Sequence, residues 1–145
     1  RCSFNVCEQI CKRLKVPPKE RDILFDMRYK AEKQLFVLEN SSSSFSRQDL
    51  YWALISFNTE YILYMMALSK KQDIKKAISN FYTHQRNIKP YIKGRDLLKI
   101  GIPSGPVFST IINQVLNAKL DGLLKTKKEE IQFATEYAKK NKLID

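Results

Sequence analysis

Carboxylates that hold metal ions against phosphate oxygens are the groups phosphate chemistry requires. The chain has seven aspartates: Asp22, Asp26, Asp49, Asp73, Asp96, Asp121 and Asp145. None forms an Asp-x-Asp pair. Asp22 and Asp26 stand four apart on a predicted helix and can share a face, but Lys19, Arg21 and Lys30 lie nearby. Surface ion pairing is the expected use of both. Cys2, Cys7 and Cys11 cluster near the start, and His84 is the only histidine. A zinc site on Cys7 and Cys11 would also need Cys2 or His84, and Cys-x₃-Cys within a helix is not a knuckle. Cys7 and Cys11 therefore read as small buried apolar side chains and His84 as a partly exposed helix residue. No catalytic residue, metal site or cofactor site is expected within this chain.

The stretch that invites a ligand runs from Tyr91 to Thr126 and contains a Gly/Pro hairpin, GIPSGP at 101–106, between two short apolar helices. Gly101 and Gly105 allow positive φ or close approach of a partner, while Pro103 and Pro106 fix φ around them. Pro106 suits a first helical turn, and the free N–H groups there suit a phosphate oxygen. Replacing Gly105 is expected to harm both the turn and binding. Lys93, Arg95 and Lys99 surround the hairpin, and Lys127 and Lys128 open the last helix. These are the candidate phosphate contacts, with Lys70, Lys71, Lys75 and Lys76 as a second basic patch. Tyr82 and Tyr91 can stack on exposed bases. Asp96, in a first turn, and Asp121, before a left-handed helix end at Gly122, read as structural. The competing reading is a helix–loop–helix corner that only packs.

Charge supports a polyanionic partner. The formal net charge is +11, and residues 66–100 hold nine Lys or Arg against two acids. Such a field attracts nucleic acid and weakens with salt, although an anionic membrane or acidic protein would feel it too. No apolar run is long enough to span a bilayer, and the start lacks a signal-peptide pattern. Three cysteines in a basic chain suggest a reducing, cytoplasmic setting. The chain opens on Arg1, from which a longer polypeptide is expected.

The elements that must position these residues are helical. Residues 2–15 place Phe4, Cys7, Ile10, Cys11 and Leu14 at helical intervals. Pro17 and Pro18 break that helix and start the next, over 19–38, with Ile23, Leu24, Met27, Ala31, Leu35 and Leu38 on one apolar face. Ser41 to Ser44 read as a loop, and Ser46 with Asp49 as a weaker capping box. Leu50 to Leu68, with Trp52, Leu54, Phe57, Tyr61, Tyr64 and Met65, predicts two short helices parted near Asn58 and Thr59 at the centre of the core. Helices follow at about 72–86, 94–100 and 106–118, then a last helix capped by Thr126 and Glu129 that buries Ile131, Ala134 and Ala138. The predicted fold is all-α: seven or eight short helices in an orthogonal bundle, its hairpin helices packed on the Trp52-containing centre. Residues 1–88 are expected to form a helical body and 89–145 a helix-hairpin-helix-like tail, the two packed as one compact unit.

GRDLLKIGIPSGP at 94–106 and NAKLDGLLKTKKEE at 117–130 resemble the carboxy-terminal region of bacterial-type tRNA nucleotidyltransferases and related poly(A) polymerase-like proteins. Gly94, Arg95, Asp96 and Leu97 match the first element of that pattern. Gly101, Gly105 and Pro106 match its turn, and Ala118, Leu120, Asp121 and Gly122 its third element. Ser104 stands where the family commonly has proline. The resemblance implies a tRNA-binding region that positions RNA for an upstream nucleotidyltransferase head of the same polypeptide. That head would add CMP or AMP to tRNA 3′ ends with Mg²⁺ and CTP or ATP, and this chain alone would be inactive. A poly(A) polymerase-like parent, a generic helix–hairpin–helix DNA module and a protein-interaction domain remain alternatives at this stage.

Overall fold

The structure, a computed structural model, describes residues 2–41 and 45–143. Ser42 to Ser44, most of the expected serine loop, and Asp145 lie outside the described residues. Among the described residues there are eight α-helices and no strand. They are α1 (Phe4–Arg13), α2 (Pro18–Asn40), α3 (Arg47–Leu54), α4 (Thr59–Leu68), α5 (Gln72–Asn80), α6 (Gly94–Lys99), α7 (Val107–Leu120) and α8 (Lys127–Lys140). The all-α expectation holds, with helix-on-helix packing consistent with an orthogonal bundle. The helix expected at 72–86 changes character midway: Phe81–Gln85 is a π-helical turn, with Arg86 N–H donating to the Phe81 carbonyl at 2.8 Å.

Local chemistry sets the helix starts. Ser46 Oγ accepts from Asp49 N–H at 3.1 Å, and Asp49 Oδ2 accepts from Ser46 N–H at 3.3 Å, completing the expected capping box of α3. Pro18 occupies the first position of α2, where its missing N–H costs no helical bond. Helix ends follow one rule as well. α6 closes with Gly101 N–H on the Leu98 carbonyl and Ile102 N–H on the Leu97 carbonyl, at 3.0 and 3.1 Å. α7 repeats this with Gly122 N–H on Lys119 and Leu123 N–H on Ala118, both at 3.0 Å. Both are Schellman ends, and their glycines take φ of 88° and 81°. Lys15 and Lys142 fill the same position after α1 and α8, at φ of 52° and 54°.

Gly101 is thus a helix-ending residue. Gly105 needs no positive φ, and a Cβ built there would meet nothing within 4 Å. This corrects the expectation that a side chain at Gly105 blocks the turn: the Ser104–Pro106 corner is made by proline geometry and is open to solvent. Gly94 is the close-approach glycine, since its Cβ would sit 3.2 Å from the Phe108 ring.

The described residues fall into two compact units, one drawn from Arg1–Ser44 and Ser56–Ser79, the other from Phe45–Ile55 and Asn80–Asp145. The second contains the expected 89–145 tail together with α3 and the π-helical turn. The apolar run Leu50 to Leu68 is therefore shared between two cores, and does not form a single centre. In the first unit α4 packs on α2, burying Ala31, Leu35, Leu38, Ile62 and Met65. Ile23 and Leu24 stay 54 % and 44 % exposed despite lying on the apolar face of α2. The reason is length: α2 has 23 residues and α4 only 10, about 35 Å against about 15 Å of helix.

In the second unit α8 packs on α7 and on α6 around Leu97, Ile102, Ile111, Val115, Ala134 and Ala138. Each such aliphatic side chain larger than alanine contributes roughly 1.5–3 kcal/mol on burial. Tyr51 is the buried aromatic of α3, set edge-on to Phe81 at 6.0 Å. Trp52 is 43 % exposed, contrary to its expected central place, because its indole N–H reaches out to Asn117 Oδ1 of α7 at 2.8 Å.

The glycines yield opposite expectations. Gly101→Ala should lower unfolding free energy by about 1–2 kcal/mol, the cost of left-handed φ for a residue with a Cβ. Gly105→Ala should stay within about 0.5 kcal/mol of the parent. Urea unfolding of the two variants checks this, and equal losses would contradict the assignment of the helix end to Gly101.

Candidate nucleic-acid interface

The segment before α6 carries Tyr91 and Lys93 with no helix of its own, so its backbone donors need partners. Glu130, in the first turns of α8, supplies them. Its side chain is fully buried, and Oε2 accepts from Tyr91 N–H at 2.6 Å and Ile92 N–H at 2.9 Å. Oε1 accepts from Lys119 Nζ of α7 at 2.7 Å. The same ammonium lies 3.3 Å from the centre of the Tyr91 ring, so one face of that ring is already used by a cation–π contact. One carboxylate thus ties α7, α8 and the approach to α6 together. Periodicity carried the signal for this residue, since Glu130, Ala134 and Ala138 are spaced by four and all buried. Extending the apolar stripe of α8 back one turn leads to it.

A second carboxylate fixes the start of α6. Asp96 Oδ2 accepts from Lys93 N–H at 2.9 Å, and Oδ1 accepts from Lys127 Nζ at 2.8 Å. The Lys127 ammonium, then the Lys93 backbone N–H, hold the Asp96 carboxyl below its ordinary range. Glu129 is likewise held low, by the N–H groups of Lys125 at 2.6 Å and Thr126 at 3.1 Å in the predicted capping box of α8. Asp121 ends α7 beside Gly122 and accepts from the Gln48 side-chain amide. Asp96 lies in the first turn of α6, Asp121 is the C-cap of α7, and Gly122 follows it at φ 81°.

The Asp96–Lys127 pair brings the first turns of α6 and α8 together. Lys93, Arg95, Lys99 and Lys128 are exposed, as are Gly101 and Gly105. Lys127 is exposed but engaged with Asp96, and a phosphate would compete for it. At the start of α7, Phe108 N–H donates to the Gly105 carbonyl at 3.0 Å. The expected set of outward donors is smaller by that one. In the other unit Lys70 and Lys76 are exposed and Lys75 is half-buried. Lys71 is also exposed, and its ammonium donates to the Glu39 carbonyl. Tyr82 is half-buried beneath the Arg86 guanidinium at 5.7 Å, and His84 is exposed as expected.

Asp22 and Asp26 take the surface role expected of them: Asp26 pairs with Lys30 at 2.8 Å and Asp22 stands 3.9 Å from Arg21. Among the described residues no three His, Cys, Asp or Glu side chains gather as a metal site. No described helix is long and apolar enough to cross a membrane.

Two measurements test this framework. Glu130→Ala leaves Lys119 with an uncompensated, nearly buried charge and two backbone donors without acceptors, and should cost about 3–5 kcal/mol in urea unfolding. A loss below 1 kcal/mol would remove Glu130 from its anchoring role. Asp96 and Glu129 titrate lower in the folded protein than in the unfolded chain. Their contribution is complete above the ordinary carboxylate range near pH 4 and disappears as pH falls through their depressed values. The thermal midpoint should therefore fall progressively below about pH 5. Asp96→Asn combined with Glu129→Gln should make that fall shallower, and an unchanged slope would show that other groups set it.

The chain is 34 % identical over 131 residues to an A-adding tRNA nucleotidyltransferase of Geobacter sulfurreducens, covering 88 % of this chain and 15 % of that protein. It is 27 % identical over 107 residues to an A-adding tRNA nucleotidyltransferase of Halalkalibacterium halodurans, covering 73 % of this chain and 24 % of that protein. The chain thus spans less than a quarter of the length of these relatives. No family model and no solved structure matches it. Over most of its own length, and a small part of theirs, the chain is homologous to tRNA nucleotidyltransferases.

Proposed function

We propose that this chain is a tRNA-binding region of a cytoplasmic tRNA nucleotidyltransferase, positioning the RNA for a catalytic head elsewhere in the same polypeptide. The head would add AMP, or CMP and AMP, to the tRNA 3′ end using Mg²⁺ with ATP or CTP. The observation that carries the reading is the 34 % identity to an A-adding enzyme over 88 % of the chain. The exposed cations Lys93, Arg95, Lys99 and Lys128 around a rigidly anchored α6 support it. In this reading catalysis belongs to the remainder of the protein. Here Lys93, Arg95, Lys99 and Lys128 contact phosphates, Lys127 exchanges Asp96 for a phosphate, and the exposed corner at Pro103, Ser104 and Gly105 approaches the RNA. Lys70, Lys71, Lys75 and Lys76 add a second basic surface. Holding duplex RNA by shape fixes where a distant 3′ end reaches a head, which lowers the barrier through orientation.

The test is a titration of tRNA at several salt concentrations. Affinity should fall as salt rises, and Arg95→Ala with Lys99→Ala should reduce the slope of log K against log salt by roughly 2 while leaving the fold intact. Duplex DNA of equal charge should compete less well than tRNA if 2′-hydroxyls and A-form shape are read. Equal competition would favour a generic phosphate-binding corner, and an unchanged double variant would remove α6 from the RNA surface.

A further inference from the structure

Arg28 of α2 is fixed at both ends of its guanidinium. Nε donates to Glu32 Oε1 at 2.9 Å, Nη1 to Cys7 Sγ at 2.8 Å and Nη2 to the Cys2 carbonyl at 2.5 Å. Ser3 is the N-cap of α1, so Cys2 holds the position before the cap and Cys7 the fourth helical position. Side chains at those two positions meet across a helix start, the contact apolar residues use as a staple. Arg28 reaches both residues at once, and Cys7 is the first cause that holds the Cys2 thiol above its ordinary range. Both cysteines line an open groove of about 410 Å³ with Ile10, Cys11, Leu24 and Phe25. Cys2 is exposed, Cys7 half-buried and Cys11 buried.

We propose that Cys2 and Cys7 are a redox-responsive dithiol that closes, by exchange with a small disulfide of the glutathione type, into a covalent staple at the start of α1. The Cys7 thiolate, its proton released to solvent, attacks one sulfur of the small disulfide. That S–S bond breaks, and one half leaves as a thiolate that takes up a proton. The Cys2 thiol then loses its proton and attacks the Cys7 sulfur of the mixed disulfide. The Cys2–Cys7 bond forms, and the second half leaves and is protonated. Two protein thiols are oxidised, and one small disulfide is reduced to two thiols. Negative charge spreads over three sulfurs in each exchange. Cys7 is one of the three both times, so Arg28 places its cation against the developing charge in both steps. Cys11, buried, takes no part.

The test treats the 145-residue chain with oxidised glutathione and follows it by intact mass, thiol counting and peptide mapping. The expected product has lost two hydrogens, links Cys2 to Cys7 and retains one thiol, on Cys11. Cys2→Ser should stop at a glutathione adduct on Cys7. Arg28→Gln should slow closure roughly tenfold, while Lys30→Gln, which removes an equal charge from the exposed pair with Asp26, leaves the rate unchanged. Stable adducts on both Cys2 and Cys7 without a cross-link, or a link through Cys11, would overturn the proposal. An unchanged rate in a folded Arg28→Gln variant would overturn the role of Arg28. Should that variant fail to fold, the cross-link map and the Cys2→Ser product still decide whether the pair closes.

Discussion

The second unit depends on one buried carboxylate. Glu130 is fully inaccessible and yet accepts three hydrogen bonds, two from backbone N–H groups and one from the Lys119 ammonium. A buried charge survives only when its acceptor sites are filled, and removing any partner leaves a costly residue of unpaired charge. The requirement acts in both directions. The segment that leads into α6 must pass Glu130, and α7 must present Lys119 to it, so the placement of α6 follows from the chemistry of α8.

The acids and bases of this unit are divided by role. Asp49, Asp96 and Glu129 accept backbone N–H groups at helix starts, Asp121 holds Gln48, Glu130 anchors the core, and Glu136 accepts from Gln132. Among the described acids of the unit only Asp96 and Glu130 pair with lysines. Most of the basic charge is therefore left facing solvent. Lys93, Arg95, Lys99 and Lys128 are among the exposed cations, and their charge acts outward.

Several elements were legible from local rules. The capping boxes at Ser46 and Thr126 involve residues three apart, and the prolines at 17 and 18 act on their own backbone, so spacing alone located these helix boundaries. Gly122, at φ 81° directly after the α7 C-cap, is a helix end set by the same kind of local rule. Gly101 and Gly105 looked alike in sequence, yet only Gly101 closes a Schellman end. The difference lies in whether a helix runs up to the glycine in register with its carbonyls. The exposure of Ile23 and Leu24, on a helix longer than its neighbour, also depends on a partner that periodicity does not contain.

What the sequence determined by itself was the all-α class, the starts of α2, α3 and α8 and the candidate cations, because each rests on residues within a turn or two of one another. The tertiary structure decided which of those cations are engaged: Lys127 by Asp96, 31 residues away, Lys119 by Glu130 and Lys71 by the Glu39 carbonyl. It also divided the apolar run 50–68 between two cores and placed Tyr51, not Trp52, inside. Such choices are made by contacts between helices far apart in the chain, where burial and charge pairing outweigh the local preferences that spacing records.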